Sequence, residues 1–232
     1  MSGALPPRER VPSFAVLGLA AFTTTRAAGS YGLTDDTPVR EVNDRWLDLV
    51  RATGGRLASA HQVHGAKIIT HTPGWDGWLR LDSADGHATA HHDTALVVTV
   101  ADCVPIFIGH PKGASALLHA GWRGVAGGIL EAGVRTMKAL GCLPQDLVLY
   151  LGPAICGSCY EVGADVYAQL MRRTIDHPAL VDLRALLADQ ARIAGVKQIE
   201  CSASCTRCHN DRFFSHRAGD TGRQVAVIAP AA

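Results

Sequence analysis

Residues 94–128 read TALVVTVADCVPIFIGHPKGASALLHAGWRGVAGG. A β-branched apolar run stops at Asp102 and Cys103, a second apolar run stops at His119, and a glycine-rich turn carrying Arg123 follows. Short runs of this kind, each closed by polar residues, are the pattern of buried strands. The turn opens onto 124–140, whose apolar spacing is helical and which Gly141 closes. The stretch therefore predicts strands, a glycine turn and a helix, with a cysteine and a histidine at neighbouring strand ends.

The flanking sequence extends this pattern. Residues 14–22 (FAVLGLAAF) are apolar enough for a strand, and 23–36 (TTTRAAGSYGLTDD) are loop chemistry. Val42, Trp46, Leu49 and Val50 share one side of a helix predicted over 39–52, which Gly54 and Gly55 stop. Short strands are expected at 57–61 and 67–71, around QVHG, and an irregular loop rich in His and Asp at 72–93. Beyond the central stretch, 147–151 reads as a strand, 163–175 and 182–194 as helices (the second N-capped by Asp182 and followed by Gly195), and 224–228 as a closing strand. Strands and helices mix without regular βαβ alternation. That predicts an α+β fold: a single domain over 13–232 with a mixed β-sheet and flanking helices, after a flexible N-terminal tail over 1–12.

Composition narrows the function classes. With 47% hydrophobic and 19% charged residues the chain is globular rather than disordered. A net charge of +1, from 22 Lys+Arg against 21 Asp+Glu, gives no electrostatic case for nucleic acid or an anionic membrane as partner. The start of the chain lacks a charged-then-apolar signal pattern, and no long apolar run suggests a membrane span. Seven cysteines with no sign of secretion point to a reduced, cytoplasmic protein, in which cysteines serve as ligands, nucleophiles or small buried hydrophobes.

Cys103, His119 and His64 (in QVHG) are the candidates for chemistry. Thiolate and neutral imidazole are both good zinc ligands, and three protein ligands with an open position is the usual form of a catalytic zinc site. Without metal the same Cys and His make a nucleophile–base pair. Asp102, beside Cys103, is a candidate proton carrier or a partner of the metal ligands. The turn around Arg123 and Gly124 resembles a helix entrance suited to an anion, or a tight connection that needs glycine for packing; it matches neither the P-loop nor the dinucleotide fingerprint. Arg26, in a small-residue loop after a strand, is a second candidate anion holder or a solvated surface residue. Two CxxC pairs, Cys156/Cys159 and Cys205/Cys208, have the knuckle spacing of a structural zinc site, but the 45 residues between them exceed ribbon spacing and contain two predicted helices.

Taken in order, QVHG at 62–65, ADC with Pro105 at 101–105, HAGWRG at 119–124, GPAICGSCYEVG at 152–163 and the CT…FFSHR…TGRQ run at 205–224 resemble the YfiH-like family. Its members are also called laccase-domain or polyphenol oxidase proteins, and purine nucleoside phosphorylases. The resemblance runs from Arg26 to Ile228. It implies a YfiH-like architecture and a metal site on His64, Cys103 and His119, with Arg26 holding phosphate or substrate. It further implies zinc-dependent phosphorolysis of adenosine, inosine and methylthioadenosine to base and ribose 1-phosphate, with adenosine deamination attributed as well. Copper-dependent polyphenol oxidation and amidase-like peptidoglycan editing are the alternatives. The implied partners are a nucleoside and phosphate, and the implied state is a monomer or small homo-oligomer.

Overall fold

In the central strands, odd and even side chains enter different cores, and this sets the layers of the protein. The computed structural model describes residues 4–33 and 36–231. Its first half contains β1 (Arg8–Arg10), β2 (Leu19–Thr24), α1 (Val39–Ala52), β3 (Arg56–Ala60), β4 (Ile68–His71), β5 (Gly77–Leu81), β6 (Gly86–Thr89), β7 (Ala95–Val100), β8 (Val104–Gly109) and β9 (Ser115–Ala120). There follow α2 (Trp122–Ala126), α3 (Ile129–Ala139), β10 (Val148–Leu151), β11 (Glu161–Val162), α4 (Ala164–Met171), β12 (Ala179–Leu180), α5 (Leu183–Ile193), β13 (Gln198–Cys201) and β14 (Gln224–Pro230).

Two six-stranded sheets carry the fold, in the orders β1-β2-β14-β7-β3-β5 and β13-β10-β8-β9-β6-β4. Both are mixed: β3 runs parallel to β5 and β7, β4 to β6, and β10 to β13, while the remaining neighbours are antiparallel. Leu96, Val98 and Val100 of β7 meet Phe107 of β8, Leu117 of β9 and Ile228 of β14 between the sheets. Ala95 and Val97 point the other way, into a core with Trp46 and Leu49 of α1. Ile106 and Ile108 of β8 and Leu118 of β9 pack on Ile129 and Val134 of α3 and Leu187 of α5. The order is helix, sheet, sheet, helices. Strands covered on both faces read as continuous apolar runs, and each such side chain contributes roughly 1.5–3 kcal/mol by leaving water.

The α+β single-domain expectation holds, with two mixed sheets where one was expected. Arg8–Arg10, expected in a loose tail, pairs antiparallel with β2, and Val11 is buried behind it; residues 1–3 of that tail lie outside the described residues. Residues 14–22 are not one strand. Pro12–Leu17 forms a 3-10 turn ended by Gly18 in the left-handed region, which tucks Phe14 and Leu17 into the core before β2 begins. The expected loop at 72–93 contains β5 and β6, whose WLRL and GHAT cores are too short and too polar to show a period. The helix expected over 124–140 breaks at Gly127 and Gly128, the latter at φ 78°, into α2 and α3. Strands β11, β12 and β13 had no expectation. Among the described residues no helix is long and apolar enough to cross a membrane.

One polar pair lies inside this framework. His71 Nε2 and His87 Nδ1 are 2.9 Å apart, both rings are buried, and His87 Nε2 has no partner among the described residues. Burial holds His71 down to about 4 and His87 down to about 3, so both are neutral in the fold. The unfolded chain binds those protons near pH 6.5, so this contribution to stability is full above that pH and is lost as pH falls below it. Urea unfolding midpoints should therefore fall between pH 6.5 and 5 in the wild type, and fall less steeply in a His71→Phe/His87→Phe variant. Equal slopes for the two proteins would show that the pair does not set the acid limit.

Candidate active site

The chain reverses sharply at both residues that begin the site. His64, in the turn after β3, has φ 59°, and Asp102, between β7 and β8, has φ 82°. Non-glycine residues rarely adopt these values, and they do so where the surrounding structure over-determines the backbone. The turn at Asp102 places Cys103 at the mouth of β8, and β8–β9 pairing sets His119 opposite Pro105. As a result the Cys103 Sγ and a ring nitrogen of each of His64 and His119 lie within 4.8 Å of one another. The two imidazoles meet edge to face with centroids 4.8 Å apart.

Asp85, fully buried just before β6, holds this group together. Its Oδ1 accepts from the His64 backbone N–H and from His119 Nδ1, both at 2.9 Å. Its Oδ2 accepts from the N–H groups of Gly65 at 2.7 Å and Val63 at 3.2 Å. Its carbonyl accepts the His119 backbone N–H at 2.7 Å. One carboxylate thus shapes the QVHG turn and orients the His119 ring. Burial pushes Asp85 up, but the bonds from His119, Gly65 and Val63 outweigh it and hold the carboxyl below its ordinary value. Because Nδ1 is committed to Asp85, the His119 Nε2 is left to face Cys103.

The thiol and imidazole are matched in charge. Burial would raise Cys103, yet the charge and hydrogen bond of His119, aided by His64, bring it down to about 6. Burial would lower His119, yet Cys103 and Asp85 raise it to about 9. A thiolate and two imidazoles, one backed by a carboxylate, suit a zinc-type ion with one position left open, so the donor set fits the group the sequence implied.

Two cavities meet at this cluster. One, of about 430 Å³, is lined by His64, Cys103 and His119 together with Tyr31, Gln62, Arg80, Thr99 and Arg223. The other, of about 270 Å³, is lined by His64, Cys103 and Asp102 together with Trp122, Arg123, Tyr160 and Arg217. His216 borders both.

The other expected residues fare differently. Asp102 is buried with both carboxylate oxygens engaged, by Thr206 Oγ1 at 2.6 Å and by the Arg217 N–H at 2.7 Å. That arrangement is one of positioning. Arg123 lines the smaller cavity, its guanidinium carbon 4.6 Å from the Trp122 ring centroid. Gly124 lies buried inside the five-residue α2, where a Cβ would stand 3.1 Å from the Gly65 carbonyl oxygen. Gly121 is the glycine the site requires, since a Cβ would approach His64 Cδ2 to 2.9 Å and Cys103 Sγ to 3.0 Å. Arg26 is held on the 210–220 segment. It lines neither cavity; its Nε donates to the Asn210 carbonyl, its Nη2 pairs with Asp220 at 2.6 Å, and the guanidinium lies over the Phe214 ring. Asp85, His216 and Arg217 were missed. SADG at 83–86 sits in a segment without periodicity, whereas the His-Arg pair after FFS at 213–215 was a legible signal.

Comparison with known proteins decides the family. Residues 25–231 match the model described as "Multi-copper polyphenol oxidoreductase laccase". The chain belongs to this laccase family. Among curated members, a protein of Deinococcus radiodurans named purine nucleoside phosphorylase is 34% identical, covering 96% of this chain and 92% of its own length. One of Mycobacterium tuberculosis with the same name is 33% identical over 89% of this chain and 90% of that protein. Among solved structures, YlmD from Geobacillus stearothermophilus has a TM-score of 0.85 at 29% identity, covering 99% of each chain. The YfiH protein of Bacillus licheniformis has a TM-score of 0.86 at 25% identity, covering 97% of each. The laccase-family fold thus extends over the whole chain, and its curated relatives are named as enzymes.

An Asp85→Asn variant keeps the shape but loses the charge and half the acceptors. It should bind zinc about 10–100-fold more weakly than wild type in a competition titration with a chromogenic chelator, with an unchanged far-UV spectrum. Unaltered affinity would show that Asp85 does not orient the ligands.

Proposed function

We propose that the chain is a zinc-dependent purine nucleoside phosphorylase of the cytoplasm, acting as a monomer or small homo-oligomer. It would convert adenosine, inosine or methylthioadenosine and phosphate to free base and ribose 1-phosphate, with adenosine deamination as a second activity. The observation that carries the reading is the Asp85-backed cluster of His64, Cys103 and His119 at the junction of two cavities, each with its own cations. The names of the relatives in Deinococcus and Mycobacterium support it.

His64, Cys103 and His119 would hold the ion. When bound, zinc supplies a Lewis acid and lowers the pKa of a coordinated water. The chain's own groups divide the remaining work. The larger cavity, with Tyr31, Gln62 and Thr99 on its wall, suits a nucleoside; Gln62 is itself fixed by bonds to the Thr99 N–H at 2.7 Å and carbonyl at 2.8 Å. The smaller cavity, with Arg123 and Arg217, suits phosphate, because two guanidinium groups meet its oxygens and its charge. With phosphate and nucleoside in adjoining cavities, the ribose lies at their junction. There a phosphate oxygen bonds to the anomeric carbon as the bond to the base nitrogen breaks. The departing base takes a proton, and His216, bordering both cavities, is the group placed to give it. Asp102 keeps this wall in position through Thr206 and Arg217.

The thiol of Cys103, brought down to about 6 beside His119, favours a second reading: a cysteine amidase, as in peptidoglycan editing, with Cys103 as nucleophile and His119 as base. Copper-dependent polyphenol oxidation finds less support. Among the described residues the only other cluster of three or more metal donors is composed entirely of cysteines, so no second imidazole site accompanies the first.

Incubation with adenosine or inosine, with and without phosphate, separates these readings. The wild type should release base and ribose 1-phosphate only with phosphate, and Cys103→Ala should lower the rate by about a thousandfold. Arg217→Ala should raise the KM for phosphate about tenfold with little change in that for nucleoside. Full phosphorolysis after removal of metal would reject zinc dependence, and inertness toward every purine nucleoside would reject phosphorolysis; amide hydrolysis that survives metal removal and is lost in Cys103→Ala would favour the cysteine amidase.

A further inference from the structure

The two CxxC pairs are not used by the chemistry above, yet the fold brings them together. Residues 160–204 leave through α4 and α5 and return along β13. Ala154 and Cys205 then form a parallel bridge, reinforced by the Thr206 N–H donating to the Ala154 carbonyl at 3.2 Å. The two turns therefore lie side by side, and the sulfurs of Cys156, Cys159, Cys205 and Cys208 all fall within 4.8 Å of one another. Those of Cys159 and Cys208 are 3.5 Å apart, and all four cysteines are free thiols.

This spacing is that of a mononuclear centre. Four sulfurs at about 2.3 Å from one ion form a tetrahedron with edges of about 3.8 Å. A disulfide needs sulfurs at about 2.05 Å and would use only two of the four. The surrounding backbone is prepared for thiolates: the N–H groups of Cys156 and Cys208 donate to Cys205 Sγ at 3.3 and 3.4 Å. Ser158 Oγ lies 3.1 Å from Cys156 Sγ, and Arg207, bonded to the Cys159 carbonyl, brings a cation beside the group. Four thiolates crowded in this way repel one another unless a cation sits among them.

We infer that Cys156, Cys159, Cys205 and Cys208 bind one zinc ion in a closed tetrathiolate site that pins the 154–160 turn to the 205–217 segment. Four protein ligands leave no open position, so the role is structural. Binding replaces four thiol protons with one dication, and the protons go to solvent. The pinned segments form the wall of the smaller cavity. Ile155 donates its N–H to the Asp102 carbonyl at 3.1 Å, Thr206 and Arg217 hold the Asp102 carboxylate, and Tyr160 and His216 line the space. The ion thus fixes the backbone that sets the turn into Cys103 without touching the catalytic cluster.

The test uses the full chain with Cys103→Ala, which removes a ligand of the other site, purified under reducing conditions without chelator. Elemental analysis should find one zinc per chain, falling to below about a tenth when Cys208→Ser is added. Cys208 is exposed, so that substitution spares the core. Native mass spectrometry of the wild type, which needs no substitution, should show two zinc ions bound, one more than Cys208→Ser retains, with loss of the thiol protons. Cobalt added to metal-stripped Cys103→Ala should give the intense visible bands of tetrahedral thiolate coordination. Hydrogen exchange at 153–162 and 203–217 should rise when the metal is removed. Absence of zinc with four rapidly titrating thiols, iron in its place, or a Cys159–Cys208 disulfide in the purified protein would each overturn the assignment.

Discussion

A buried carboxylate survives in a protein interior only where donors surround it, and Asp85 has them on every side. The N–H groups of three consecutive residues, Val63 to Gly65, converge on it with the ring of His119. Each hydrogen bond to a charged group contributes on the order of 1.5–3 kcal/mol. Removing the acceptor would release the QVHG turn from β6, free the His119 ring to rotate, and leave several buried N–H groups unpaired. The left-handed backbone at His64 persists because these bonds hold it.

The scaffold explains why the cluster forms at this place. Strands β6, β8 and β9 are fully buried and pair antiparallel through β9, so their ends keep a fixed register. Asp85 enters β6, Cys103 enters β8 and His119 lies near the end of β9, all at one end of three central strands of one sheet. The turn at Asp102 crosses from the end of β7 in the opposite sheet to the start of β8. Gly121 then lets the chain leave β9 without a side chain where the thiol and the His64 ring sit. Rigid strands set the ligands, while the segments at 154–160 and 205–217 enclose them.

Much of this was legible in the residues alone, and the parts that were not have physical causes. The strand-end positions of Cys103 and His119 followed from apolar runs closed by polar residues, and α1 followed from Val42, Trp46 and Leu49 at helical spacing. The helix over 182–194 was legible from its cap, and Asp182 does accept from the N–H groups of Arg184 and Ala185. Asp85 was hidden because its importance lies in pairing with residues 20 and 34 positions away, which no local pattern records. The Arg26 expectation came from a small-residue loop and the family resemblance, and that for Gly124 from the glycine-rich turn. The contacts of Arg26 with Asp220, and the space left for Gly124 beside the Gly65 carbonyl, are tertiary features. Distance along the chain similarly counted against grouping the two CxxC pairs, until the return of β13 closed the gap.

In this chain of the laccase family, with relatives named purine nucleoside phosphorylase, two cavities meet at one centre, the Asp85-backed trio. The proposed reaction requires zinc on this trio with one position open. Anomalous diffraction at the zinc edge, from crystals of zinc-replete protein, tests it most directly. A peak about 2.0–2.1 Å from a His64 ring nitrogen and His119 Nε2, and about 2.3 Å from Cys103 Sγ, is the predicted result. A map with no density at these three atoms, or with zinc only elsewhere in the chain, would contradict it.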